Sequence, residues 1–112
     1  MLDELTFRRH ADAAIESLKK SLIVAEESSG DFEAEEQNGV LNILFEEPPA
    51  KFVITPNTPV RQIWISALST SFKLDWSDSA QDFVSAKDSL ALKPLIAKLI
   101  NQHLGNESVT LT

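Results

Sequence analysis

The stretch from Lys51 to Trp76 constrains the fold most, because it contains three short segments typical of neighbouring β-strands. Apolar and polar residues alternate in the middle segment, Gln62 to Ala67. Side chains along a strand point alternately to opposite sheet faces, so Ile63 and Ile65 share one face while Trp64 lies on the other. Polar residues flank Trp64 on that second face. A large aromatic side chain on the face that a one-sided sheet gives to water indicates a surface that contacts another molecule.

The remaining pattern predicts a helix, about six short strands and a second helix. Apolar residues spaced by three and four predict the first helix from about Asp3 to Ala25. Asn38-Gly39 is a strong signal for a two-residue hairpin. The last helix is predicted to begin near Ala91 or Leu92, because Pro94 is tolerated only in a first helical turn. The predicted strands are residues 31–36, 40–45, 51–55, 62–67, 72–76 and 82–86.

These elements predict an α+β two-layer sandwich, in which the N- and C-terminal helices pack on one face of a roughly six-stranded antiparallel sheet. The length of 112 residues suits a single domain that spans residues 1–112. Trp76 shares a strand face with Phe72 and Leu74 and is predicted to lie in the core. His103 lies on the apolar stripe of the last helix, which predicts a partly buried structural role. The tail, residues 109–111, is predicted to fold back over the helices.

Composition excludes several classes of function. A net charge of −7 argues against a nucleic-acid partner and favours a basic protein or a cation. Without cysteine the chain has no disulfide, thiol nucleophile or thiolate metal site. No apolar run approaches the roughly 20 residues that cross a membrane. The acidic start, Met-Leu-Asp-Glu-Leu, is unlike a signal peptide, so we expect a cytoplasmic protein without membrane contact.

Six acidic residues and no Lys or Arg occur between Ile23 and Glu36. Asp31, Glu33 and Glu35 alternate along the first predicted strand, so they share one face about 6–7 Å apart. Carboxylate oxygens suit Fe²⁺ or Mn²⁺, but this spacing is wide for one ion. Any binding is therefore expected to be weak, multiple and poorly selective. The alternative is a solvated acidic edge that discourages pairing with another strand.

From Phe7 to about Leu111 the chain resembles the frataxin family, specifically its short bacterial form. The resemblance depends on the order and spacing of several motifs together. These motifs are Asn38-Gly39-Val40-Leu41 after an acidic strand, Pro59 followed by Gln62-Ile63-Trp64, and Lys73-Leu74-Asp75-Trp76 before the closing helix. The family fold is the sandwich predicted above. The resemblance implies a role in iron–sulfur cluster biogenesis.

Frataxins bind ferrous iron weakly through surface carboxylates, and they bind the cysteine desulfurase and scaffold complex and modulate cluster formation there. The resemblance therefore implies that the protein binds Fe²⁺, and also Fe³⁺ as its oxidised form. The partner-facing residues that match are Gln62, Trp64 and Lys73, where Lys73 replaces an Arg of eukaryotic members. The metal-binding residues implied are Glu26, Glu27, Asp31, Glu33 and, close by, Glu35. Where bacterial members tend to carry further acids, this chain has Lys19, Lys20, Ile23 and Val24.

Three functions stay open at this point. The first is a monomeric, iron-binding modulator of iron–sulfur cluster assembly, and the second is an iron-storing ferroxidase that forms oligomers with iron. The third is an acidic interaction module that does not use iron. The sequence contains no catalytic triad, no Glu-x-x-His pair and no Gly-rich phosphate loop. Apart from the ferroxidase activity that the resemblance allows, no enzyme activity is predicted.

Overall fold

The structure, a computed structural model, describes residues 2–46, 49–105 and 109–111. These residues form two α-helices on one face of a seven-stranded antiparallel sheet in which each strand pairs with the next along the chain. The predicted α+β sandwich is confirmed. The elements are α1 Glu4–Ser29, β1 Phe32–Gln37, β2 Val40–Glu46, β3 Pro49–Asn57, β4 Gln62–Ala67, β5 Thr70–Ser77, β6 Asp82–Ser85, β7 Leu90–Ala91 and α2 Leu92–Leu104, with a 3₁₀ turn at Thr58–Val60. The strand missing from the prediction is β7, whose two residues are too few to show alternation.

Helix α1 begins at a capped N-terminus. The Asp3 carboxylate accepts a hydrogen bond from the Thr6 backbone N–H at 2.7 Å, and this bond holds the pKa of Asp3 below its usual value. The helix runs to Ser29, so its predicted end at Ala25 is wrong. It ends at Gly30, whose left-handed backbone and N–H bond to the Glu26 carbonyl form a C-cap. No helix among the described residues is long and apolar enough to span a membrane.

The hairpin between β1 and β2 forms at Asn38-Gly39 as predicted. Both residues have positive φ, 55° and 80°, which a two-residue turn of type I′ requires. The turn fixes the register of the two strands and places Phe32 opposite Phe45. Phe32 then faces the helices, and its neighbour Glu33 points to the opposite, outer face of the sheet. The acidic strand therefore has one buried face and one outer face.

The core fills the space between the helices and the inner sheet face. Ile63, Ile65 and Ala67 of β4 are buried there, as alternation predicted. Val109 and Leu111 are also buried, and the Asn101 side chain bonds both the N–H and the carbonyl of Val109, at 3.0 and 2.9 Å. The predicted return of the tail over the helices is confirmed.

The aromatic side chains of His103 and Trp76 both lie at the margin of the core and are half-buried. His103 is half-buried with its ring 4.4 Å from the Phe45 ring, which confirms its structural role. Trp76 points inward and packs against the core as predicted, although it is only half-buried. Its indole stacks on His10 at 3.9 Å, and its Nε1–H donates to Asp78 at 2.9 Å. An indole needs a partner for its N–H, which keeps this ring near polar groups at the margin of the core.

Candidate functional site

The three predicted partner-binding residues lie together on the outer sheet face. Strand pairing places Gln62 opposite Asp75 and Trp64 opposite Lys73. We call these four residues of β4 and β5 the docking cluster. Asp75 was not among the predicted partner-binding residues. Its position two places after Lys73 on the same strand was the available signal, because such residues share a face.

Side-chain contacts hold the docking cluster in one arrangement. The Trp64 Nε1–H donates to Gln62 Oε1 at 2.9 Å, and Gln62 Nε2 donates to Asp75 Oδ1 at 3.0 Å. Lys73 Nζ lies 5.0 Å from the centroid of the Trp64 ring, within the range of a cation–π contact. Trp64 is half-buried and Lys73 is exposed. The cluster therefore presents an aromatic ring with a fixed orientation and a positive charge beside it.

The acidic residues are distributed over a second region, at the end of α1 and the start of β1. Glu26, Asp31 and Glu33 line an open pocket of about 560 Å³, and Glu46 of β2 lines it with them. We call these four residues the acidic pocket. Glu27 and Glu35, also predicted as metal ligands, are exposed and lie outside its lining.

Sequence reasoning missed Glu46, although the sequence contained the signal for it. The Asn38-Gly39 turn fixes the register of the β1–β2 hairpin, in which Phe32 pairs with Phe45. One step beyond that pair, Asp31 and Glu46 come opposite each other. The hairpin therefore adds a carboxylate that lies fifteen positions from Asp31 in the chain.

Glu26 differs from the other acids because it has a structural hydrogen bond. Its Oε1 accepts from the Ala34 backbone N–H at 2.8 Å. Strand β1 is at the edge of the sheet, and this N–H points away from β2 toward α1. Lys19 makes a second tie between the helix and the strand, with Nζ 3.3 Å from Glu36 Oε1. Helix α1 thus supplies a hydrogen-bond partner to a backbone N–H of an edge strand that could otherwise pair with another strand.

The chemistry of the acidic pocket suits loose cation binding. Within residues 2–46, 49–105 and 109–111, no three His, Asp or Glu side chains are arranged to hold one metal ion. The hard carboxylate oxygens fit Fe²⁺, but an ion bound by one or two of them keeps water on its other positions. Farther from the pocket, Ile23 and Val24 are 40% and 65% exposed on α1. They extend apolar surface where the resemblance led us to expect acids.

Comparisons with known proteins agree with this fold. The family model described as "Frataxin-like domain" matches residues 1–106. The iron-sulfur cluster assembly protein CyaY of Pseudomonas fluorescens (strain Pf0-1) is 25% identical over 103 residues, which cover 92% of this chain and 93% of the relative. The CyaY of Pseudomonas putida (strain GB-1) is 26% identical over 106 residues, which cover 95% and 93%.

A solved structure shows the same fold. A frataxin from Psychromonas ingrahamii superposes with a TM-score of 0.79 over 99% of both chains, at 18% sequence identity. The two chains therefore share the two-layer α+β sandwich. The chain belongs to the frataxin-like domain family.

Proposed function

We propose that this protein is an iron-binding modulator of iron–sulfur cluster assembly that acts on the cysteine desulfurase and scaffold complex in the cytoplasm. Membership of the frataxin-like domain family and the name of its CyaY relatives support this role. The observation that carries the proposal is the docking cluster, in which hydrogen bonds orient Trp64 on the outer face of the sheet.

Trp64 is the anchor of this docking surface. Tryptophan is enriched among the residues that contribute most to binding at protein interfaces. Because the indole N–H already has Gln62 as its acceptor, a partner can cover the ring without leaving that donor unpaired. Lys73 beside the ring supplies a positive charge for an acidic group of the partner.

The acidic residues attract the same partner over a longer distance. Glu33 and Glu35 lie on the same outer face as Trp64, as the strand registers show. Three strand spacings of about 4.8 Å separate β1 from β4, and the registers offset Glu35 by two residues and Glu33 by four from the level of Trp64, so these acids lie roughly 15–20 Å from Trp64. One partner surface can therefore contact both regions. A basic patch on the desulfurase that faces the acids would speed its encounter with this protein.

Iron is the proposed cargo of the acidic pocket. Glu26, Asp31, Glu33 and Glu46 supply oxygens from three elements around one pocket. Glu27 and Glu35 extend the negative field on either side and remain proposed as ligands of lower occupancy. Such a site exchanges Fe²⁺ rapidly, because few protein oxygens hold each ion. Rapid exchange suits delivery to the assembly complex better than storage.

The function is tested by binding and by rate. Purified protein is titrated against the cysteine desulfurase and scaffold complex by biolayer interferometry, and cluster formation on the scaffold is followed by its visible absorbance. We expect saturable binding and a changed rate of cluster formation. The proposal is contradicted if the protein at 100 µM, about 100-fold above a micromolar dissociation constant, neither binds the complex nor changes the rate of cluster formation.

The iron site is tested separately by an anaerobic Fe²⁺ titration of ¹⁵N-labelled protein. Paramagnetic broadening is expected first for the amides around Glu26, Asp31, Glu33 and Glu46. The double variant Glu33→Gln/Glu46→Gln should reduce the broadening, and Glu35→Gln, outside the pocket, should change it less. Broadening that is uniform over the chain would contradict a localised site. Saturable oxygen consumption when iron is added in air would instead indicate the ferroxidase.

A further inference from the structure

Asp75 ends a chain of two hydrogen bonds that starts at Trp64. Its carboxylate lies on the outer face of β5 and accepts from Gln62 Nε2 at 3.0 Å, and Gln62 Oε1 accepts from the indole at 2.9 Å. The indole N–H can only donate, and an ionised carboxylate can only accept. The Gln62 amide satisfies both neighbours in one of its two orientations, with its oxygen toward Trp64 and its nitrogen toward Asp75.

We propose that Asp75 is a positioning residue that fixes the orientation of Trp64 through Gln62, and thereby sets the affinity of the docking surface for the iron–sulfur assembly complex. The effect on affinity rests on the function proposed above. The effect on the indole does not, because it depends only on contacts within the chain.

Removal of the acceptor at position 75 would free the Gln62 side-chain amide to rotate. Without Asp75, the Gln62 amide can turn and point its nitrogen toward the indole, which places one donor against another. The ring then loses the hydrogen bond that favours its present rotamer. Lys73 alone, at 5.0 Å from the ring centroid, constrains the ring less, because a cation–π contact at an exposed site is weak. A partner would have to order the ring again upon binding, at a cost in affinity.

Two substitutions at Asp75 separate positioning from charge. Asp75→Asn removes the negative charge but keeps an oxygen that can accept from Gln62. Asp75→Ala removes both the charge and the acceptor. Positioning predicts that Asp75→Asn resembles wild type and that Asp75→Ala does not. Gln62→Met, which removes the middle member of the two hydrogen bonds, should reproduce the behaviour of Asp75→Ala.

The protein contains an internal control, because it has two tryptophans and each donates its indole N–H to a different acceptor. Trp76, on the inner side of β5, donates to Asp78 in the turn that follows this strand, at 2.9 Å. In a ¹⁵N spectrum the two indole signals report the two contacts separately. Hydrogen exchange of each indole with water measures whether its acceptor is in place.

We expect Asp75→Ala to speed exchange of the Trp64 indole about fivefold and to leave the Trp76 indole unchanged. Asp78→Ala should do the reverse. Asp75→Asn should keep the Trp64 rate within a factor of about two. These factors correspond to the loss or retention of one hydrogen bond. An unchanged Trp64 indole in Asp75→Ala would overturn the positioning role.

The same variants are then compared in binding to the desulfurase and scaffold complex. Asp75→Ala should raise the dissociation constant about fivefold, as expected for the loss of one hydrogen bond, while Asp75→Asn and Asp78→Ala bind like wild type. Equal weakening by Asp75→Asn and Asp75→Ala would show a charge contact with the partner and overturn the proposal. If Trp64→Ala itself binds like wild type, the docking function fails, and the indole exchange rates still decide the role of Asp75.

Discussion

The docking cluster on the outer sheet face and the acidic pocket at the edge of β1 belong to one small domain, yet they are built differently. In the docking cluster, four residues on two paired strands are linked by hydrogen bonds of 2.9 and 3.0 Å and by a cation–π contact. In the acidic pocket, carboxylates from a helix and two strands surround a space of about 560 Å³. The first arrangement favours a defined contact with a partner. The second favours long-range attraction and loosely bound cations.

Fewer acidic residues contribute to the negative charge at the α1–β1 end than the sequence suggests. Lys19 forms an ion pair with Glu36, so one acid of the series is partly neutralised from α1. The Glu26 carboxylate is bonded to the edge of β1, and Val24, two residues earlier on the helix, exposes an apolar side chain. The exposed carboxylates of this region are therefore mainly those of Glu27, Asp31, Glu33, Glu35 and Glu46.

Substitution of Trp64 is the strongest test of the comparison. Trp64→Ala should weaken binding to the desulfurase and scaffold complex by about 2 kcal/mol, which is roughly 30-fold in the dissociation constant. The loss should appear mainly as faster dissociation, because a buried anchor acts after the encounter. Surface plasmon resonance measures both rates.

Ser66 provides a matched control for Trp64. It lies two places along β4, on the same outer face, and is exposed. Ser66→Ala should leave both rates unchanged. Similar small effects of Ser66→Ala and Trp64→Ala would show that the outer face of β4 is not the docking surface.

Charge reversal in the acidic pocket should have a smaller effect of a different kind. Asp31→Lys/Glu33→Lys should slow association about tenfold at low salt and leave the dissociation rate nearly unchanged. The dependence of the association rate on salt should flatten, because screening then has less attraction to remove. Stopped-flow measurements between low and physiological ionic strength check this prediction.

The control for charge reversal is a variant with the same net charge as Asp31→Lys/Glu33→Lys. Asp12→Lys/Glu16→Lys changes two exposed acids of α1 that do not line the acidic pocket. It should slow association less than the Asp31→Lys/Glu33→Lys variant. Equal slowing by both variants would mean that net charge, rather than the acidic pocket, steers the encounter.

The sequence was sufficient to predict the parts of the fold that depend on local patterns. Alternation placed Ile63 and Trp64 on opposite faces, and Asn38-Gly39 predicted the first hairpin. A second two-residue turn, Leu68-Ser69, also has positive φ at both positions but contains no glycine. Such a turn carries no local signal, because bulky residues seldom adopt this conformation. The strand pairing on both sides stabilises it.

The candidate site was predictable only as far as residues share an element. Trp64 and Lys73 could be assigned to one face, whereas the order of hydrogen bonds through Gln62 to Asp75 depends on side-chain rotamers that sequence spacing does not fix. Glu26 shows the same limit. Composition marked it as an acid near other acids, and only the packing of α1 against β1 shows that its carboxylate bonds the Ala34 N–H.

Glu26 gives the smallest expected effect and a test that links the acidic pocket to the stability of the fold. Glu26→Ala leaves the half-buried Ala34 N–H without its acceptor and should lower the free energy of unfolding by about 1 kcal/mol. The melting temperature should fall by roughly 4 °C, measured by circular dichroism. Glu26→Gln keeps an amide oxygen for this bond and should lose less.

Glu27 is the natural control, because it is the next residue of α1 and is exposed. Glu27→Ala should leave the melting temperature unchanged. Because Glu26 also lines the acidic pocket, its carboxylate is available to Fe²⁺ as well as to the Ala34 N–H. Fe²⁺ that binds the folded protein stabilises it by mass action, so wild type should melt at a higher temperature with saturating Fe²⁺ under anaerobic conditions, and Glu26→Ala, which lacks this carboxylate, should gain less. Equal gains in both proteins would show that Glu26 does not hold iron.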